Sequence, residues 1–98
     1  MANSKVIVLA EMPVLPEYLE EVMAISAETL IPTLKEPGCE AFYQTSKKDD
    51  PNTLIFFEVF ESKAALDPHM EADYTEKFFA VVKDKLAGKP VSTILSEL

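Results

Sequence analysis

Residues Gly38–Met70, GCEAFYQTSKKDDPNTLIFFEVFESKAALDPHM, decide how this 98-residue chain is read. Cys39–Thr45 alternates as a strand: Cys39, Ala41 and Tyr43 share one face, and Glu40, Phe42 and Gln44 share the other. Asp49-Asp50-Pro51-Asn52 predicts a turn, because proline presets one backbone angle and Asp and Asn bond to nearby backbone groups. Thr53–Phe60 then returns as an antiparallel partner with apolar side chains on both faces. Leu54, Phe56, Glu58 and Phe60 point one way, and Ile55, Phe57 and Val59 point the other. Ser62 is a good N-cap for the helix that follows. Pro68 is expected to end or kink that helix just before His69, the only histidine in the chain.

Outward from this hairpin, the flanks read as material that covers it. Lys5–Glu11 is a short β-branched run that favours a strand, with Val6, Val8 and Ala10 on one face and Ile7 and Leu9 on the other. Pro16 suits the first turn of a helix, and Glu17, Glu20 and Glu21 suit its positive end. The apolar stripe of that helix runs through Leu15, Leu19, Val22, Ser26, Leu30 and Leu34, widened by Met23 and Ala27. Pro32 is expected to break or kink it near Leu30, leaving a short final turn through Lys35, and Glu36-Pro37-Gly38 stops it. After the hairpin, a last helix is predicted from about Glu71 to Leu86, with Tyr74 or Thr75, Phe78, Val82 and Leu86 inward. Gly88 and Pro90 end it, and Val91–Leu98 is a β-prone tail with Val91, Thr93 and Leu95 on one face.

The order is βαββαβ, which predicts one α+β domain over residues 1–98 with a ferredoxin-like antiparallel sheet. Two helices cover one sheet face. The other also carries apolar residues, and no predicted element remains to cover it. Pairing of two copies through that face is the simplest remedy, so a homodimer is expected.

Composition excludes several classes of partner. Nine Lys and Arg stand against 17 Asp and Glu, a formal charge of −8. Phosphate backbones and anionic lipid would repel such a chain, so neither nucleic acid nor membrane is expected as a partner. One cysteine cannot close an internal disulfide. The N-terminal run MANSKVIVLAEMP has neither a basic leader followed by a long apolar core nor the length to cross a membrane, so a cytoplasmic location is expected. One histidine and one cysteine do not make a transition-metal set. With Gly38 and Gly88 as the only glycines, a phosphate-cradling loop is absent.

His69 is the first candidate for chemistry, because imidazole exchanges protons near neutral pH and can take one from a phenol or enol. Closing a helix end is the competing role. Glu58, between Phe56 and Phe60 on an aromatic strand face, is costly to bury unless it is paired or used, and desolvation would suit it to acid–base work. Tyr74 and Tyr43 are candidate hydrogen-bond donors to a ligand, against the commoner role of core aromatics. Phe42, Phe56, Phe60 and Tyr74 are expected to line a pocket between sheet and helices. Cys39 has no cation nearby in sequence and reads as a structural thiol.

Glu36-Pro37-Gly38-Cys39, Asp49-Asp50-Pro51-Asn52-Thr53, Phe57-Glu58-Val59-Phe60, Ala64-Ala65-Leu66-Asp67 and His69-Met70, at these spacings, resemble the antibiotic biosynthesis monooxygenase domain family. The resemblance covers nearly the whole chain. It implies a dimeric α+β barrel that oxygenates a small electron-rich aromatic, typically a quinol, with dioxygen and no metal, flavin or haem cofactor. On that reading His69 is expected to act as base, with Glu58 or Tyr74 orienting the substrate. Tyr74 stands where many members have a second histidine. The haem-degrading branch is not implied: there is no tryptophan, no asparagine in Lys5–Glu11, and Phe79 lies near the position of the haem-ligating histidine. The family also contains isomerases of small dicarbonyl metabolites, and a non-catalytic ligand-binding dimer remains open.

Overall fold

The computed structural model describes residues 5–98; the part of the leader reading that falls on residues 1–4 lies outside them. Strands β1 (Val6–Pro13), β2 (Cys39–Lys47), β3 (Asp50–Phe60) and β4 (Val91–Leu95) form one sheet in the order β2-β3-β1-β4, with every pair antiparallel. Helices α1 (Leu19–Leu34), α2 (Lys63–Glu71) and α3 (Asp73–Val82) complete the α+β fold, with a single 3-10 turn at Pro16–Tyr18 leading into α1. Among the described residues, no helix is long and apolar enough to cross a membrane.

Cross-strand register sorts the side chains into two sets. Val8 and Phe42 flank Glu58 on one face, and Leu9 and Tyr43 flank Phe57 on the other. The first face is the inner one. Val8, Met12, Phe42, Leu54, Phe56, Glu58 and Phe60 are all buried there, and Met12, Leu54 and Phe56 share one core cluster with Val22 and Ile25 of α1 and Phe78 and Val82 of α3. On the outer face, Ile7, Leu9, Ile55, Phe57 and Val59 are only half-buried, and Tyr43 is 61% exposed.

Neither proline ends its helix. Helix α1 continues past Pro32 to Leu34, and α2 continues past Pro68 to Glu71, which puts His69 inside the helix. A proline in a helix leaves the carbonyl four residues earlier without its donor. Those residues here are Glu28 and Ala64, both exposed, so water can serve their carbonyls. The break comes instead at Ala72, whose extended backbone (φ −65°, ψ 145°) ends α2 and starts α3. The last helix therefore runs over Asp73–Val82, and Leu86 lies beyond it in an isolated bridge to Val14.

The buried side of α1 is rotated from the expected stripe. Val22, Ile25, Ser26, Thr29 and Thr33 face inward, while Met23, Ala27 and Leu34 are exposed. Ser26 and Thr29 can be buried because each hydroxyl donates to a carbonyl of its own helix, Val22 O at 2.8 Å and Ser26 O at 2.7 Å. Gln44 then reaches across from β2 to Ser26 O and the Thr29 hydroxyl.

Two irregularities correct the hairpin. Its turn is Lys48-Asp49, and Asp50 already pairs with Lys47. Pro51 sits in the register shift that follows, where its missing N–H costs little. At the other end of β2, a bulge at Glu40 places Cys39 opposite Phe60 and Ala41 opposite Val59. Cys39 therefore does not share the outer face of Ala41 and Tyr43.

Candidate functional site

Ser62 starts α2 as expected, its side chain accepting from Ala65 N at 3.1 Å. Two turns on, the helix lowers His69 onto the inner sheet face. The imidazole is 5% exposed and lies between Phe60 (ring centroids 5.1 Å apart) and the edge of Phe42 (5.7 Å). On β3, the residue between Phe56 and Phe60 on this face is Glu58, 8% exposed. Its Oε1 is 3.8 Å from His69 Nε2, an ionic distance too long for a hydrogen bond.

The other ring nitrogen has a partner that sequence reasoning missed. His69 Nδ1 is 3.1 Å from Glu36 Oε2. The Tyr74 hydroxyl donates to the same oxygen from the first turn of α3. Glu36 lies in the turn between α1 and β2, and Gly38 lets that turn close on α2. Gly38 has φ +85°, and a Cβ there would come within 2.5 Å of the Ala65 Cβ. The quoted EPG triplet held a signal: an acidic residue beside a glycine that the backbone requires. Nothing local in it pointed to a histidine 33 residues away.

Electrostatics follow from burial. Loss of water pushes the Glu58 carboxyl above its ordinary 4.5; His69 pulls it down and Glu36 adds to the rise. Burial, helped by the Glu36 hydrogen bond, raises the Tyr74 phenol to about 12. The Cys39 thiol is also raised, first by desolvation and then by Glu36 and Glu58, which fits a structural thiol better than a nucleophile. Because Glu36 and Glu58 address opposite nitrogens of one ring, they do not converge with it on a single metal ion.

A cavity of about 280 Å³ opens beside these groups, with Glu58 and His69 on its wall. Phe42, Phe56, Phe78 and Phe79 supply aromatic surface, and Ser92 and Ile94 of the edge strand β4 border it. Of the residues expected to bind a ligand, Phe42 and Phe56 line this space. Phe60, fully buried, does not; it backs the imidazole. Tyr74 is likewise behind His69, its hydroxyl committed to Glu36 rather than to the cavity. Tyr43 is on the outer sheet face beside Phe57, because the bulge at Glu40 leaves the alternation through Phe42 and Tyr43 intact.

Residues 5–81 match the family profile described as antibiotic biosynthesis monooxygenase. The chain belongs to that family. Among its relatives, an uncharacterised Synechocystis protein is 33% identical over 86 residues, 88% of this chain and 58% of that protein. The chain thus spans little more than half of that relative. Rv0793 of Mycobacterium tuberculosis, by name a candidate monooxygenase, is 28% identical over 96 residues, covering 98% of this chain and 94% of the relative. Its solved structure superposes with a TM-score of 0.91 over 97% of this chain and 96% of that one. A Caulobacter crescentus structure described as a candidate antibiotic biosynthesis monooxygenase is 25% identical, with a TM-score of 0.90 over 98% and 92% of the two chains. These family members share the α+β fold built here from its residues.

Proposed function

We propose that this family member is a cofactor-independent monooxygenase of a small electron-rich aromatic such as a quinol, working as a homodimer. One observation carries the reading: a buried histidine, held through one ring nitrogen by Glu36, sits with Glu58 on the wall of an aromatic-lined cavity. His69 Nε2 takes the hydroxyl proton of the bound aromatic, and the ring becomes electron-rich enough for a ring carbon to bond to dioxygen. Loss of the carbon-bound hydrogen as a proton, with cleavage of the O–O bond, releases water and leaves a carbonyl. Glu58, which holds its proton more tightly than an ordinary carboxyl, returns a proton to the departing oxygen. Apolar walls keep water from the anion while it reacts.

The family's isomerase chemistry on a phosphorylated dicarbonyl would need a cation for phosphate, and no Lys or Arg is among the residues lining the cavity. The half-buried outer face, with Ile7, Leu9, Ile55, Phe57 and Val59, supports pairing of two copies. Oxygen consumption against a panel of hydroquinones, corrected for autoxidation, tests the activity. Turnover by the native protein and its loss in His69→Ala are expected. No turnover with any member of the panel, or full turnover by His69→Ala, refutes the assignment.

A further inference from the structure

Two side chains meet at one carboxylate oxygen. Glu36 Oε2 receives the Tyr74 hydroxyl and lies at hydrogen-bond distance from His69 Nδ1, 3.1 Å. The other oxygen, Oε1, is buried with no hydrogen-bond partner among the described residues. All the hydrogen bonding that stabilises this carboxylate therefore falls on Oε2. Tyr74 keeps its proton throughout the physiological range, so it is a donor there and Oε2 an acceptor. A ring nitrogen facing that oxygen with a lone pair would set two acceptors against each other; a ring nitrogen carrying hydrogen would not. The alternative partner for the proton is Glu58, but its Oε1 is 3.8 Å from Nε2, beyond hydrogen-bond reach.

We propose that Glu36 is the positioning residue of this site: clamped by Tyr74, its carboxylate keeps the neutral His69 ring protonated on Nδ1 and leaves Nε2 as a bare lone pair toward Glu58 and the cavity. Free imidazole has no such constraint, and a ring protonated on Nε2 would present a hydrogen where a base is needed. The fold enforces the arrangement from both sides. Gly38 brings the Glu36 turn against α2, and the extended residue Ala72 redirects the chain so that Tyr74 approaches the same oxygen from α3. Glu36 acts only through His69, since it does not border the cavity. The inference deepens the reading of His69 as a base, and rests on that reading only for its kinetic consequence.

Because His69 is the only histidine, long-range proton–nitrogen correlation on uniformly labelled protein reports its tautomer without assignment. With the ring neutral, the native spectrum is expected to show a protonated Nδ1 and an unprotonated Nε2. Glu36→Ala removes the acceptor and should move the proton toward Nε2. Glu36→Gln, whose amide oxygen still accepts, should retain the Nδ1–H form. In steady-state oxidation of 1,4-naphthohydroquinone, Glu36→Ala should lose tenfold or more in kcat with KM little changed, and Glu36→Gln should recover part of the loss. A native ring protonated on Nε2 overturns the proposal, as does a folded Glu36→Ala whose tautomer is unchanged. If Glu36→Ala does not fold, the native and Glu36→Gln spectra decide. If hydroquinones are not turned over, the oxygenase reading fails while the tautomer result stands on its own.

Discussion

Gly38→Ala is the most informative single change, because one atom tests both the fold and the site. Two separable costs arise from it. The backbone there sits at φ +85°, where an L side chain costs about 1–2 kcal/mol. The new methyl would also stand 2.5 Å from the Ala65 Cβ, against ordinary carbon contacts of about 3.5–4.0 Å. Relief requires the turn and α2 to separate by about 1 Å, an overpacking cost of about 1–3 kcal/mol. The nearby Glu61 side chain, at 3.0 Å, is long enough to swing aside. A total of about 2–5 kcal/mol, with a urea slope of about 1–3 kcal/mol/M for a small domain, lowers the unfolding midpoint by roughly 0.7–5 M. Equilibrium urea denaturation followed by circular dichroism measures it. Ala65→Gly in the same background separates the two costs. On its own it costs about 1 kcal/mol of helix propensity, but it removes the colliding atom. The double variant should therefore be less destabilised than the sum of the singles, by the overpacking share of about 1–3 kcal/mol. Because the same displacement pulls Glu36 from His69, Gly38→Ala should also disturb the His69 nitrogen resonances. A midpoint within error of the native value refutes the steric argument, and simple additivity in the double variant refutes its location at Ala65.

Glu58→Gln should become more stable than the native protein as pH rises from 4 to 7. Folded Glu58 holds its proton more tightly than the unfolded chain does, so native stability falls as pH climbs above the ordinary 4.5. Thermal melting of both proteins at pH 4 and pH 7 checks this; a gap that does not widen with pH counts against it. Tyr74 has a raised phenol, so stability it contributes at neutral pH is lost as pH rises through 10 toward 12. Absorbance of ionised tyrosine should show one of the three phenols titrating late, and that step should vanish in Tyr74→Phe. Phe57→Glu puts a charge in the centre of the outer face, between Leu9 and Tyr43. Sedimentation should show a dimer for the native chain and a monomer for the variant; a native monomer at micromolar concentration would dispose of the dimer.

The element order and sheet faces were legible because they rest on local period. Alternation in Thr53–Phe60 placed Leu54, Phe56, Glu58 and Phe60 together, and all four are buried on the helix side. Ser62 was readable as a cap from the residues that follow it. Local signals misled where tertiary context supplied a compensation they do not contain. Pro32 and Pro68 stay within helices because the carbonyls they leave without donors lie on exposed turns, and a bulge at Glu40 moves Cys39 off the face that alternation assigns it. The same limit applies to the site. Composition and spacing singled out His69 and Glu58, because a lone histidine and a carboxylate between phenylalanines are unusual wherever they fall. Only the folded chain joined His69 to Glu36, since that contact depends on a left-handed glycine turn closing against a helix 27 residues further on at Ala65. It also turned Tyr43 away from the cavity and committed the Tyr74 hydroxyl to Glu36. Sequence periodicity reports which face a side chain takes on its own element; which nitrogen of a histidine is held, and by what, is settled by the packing of elements distant in the chain.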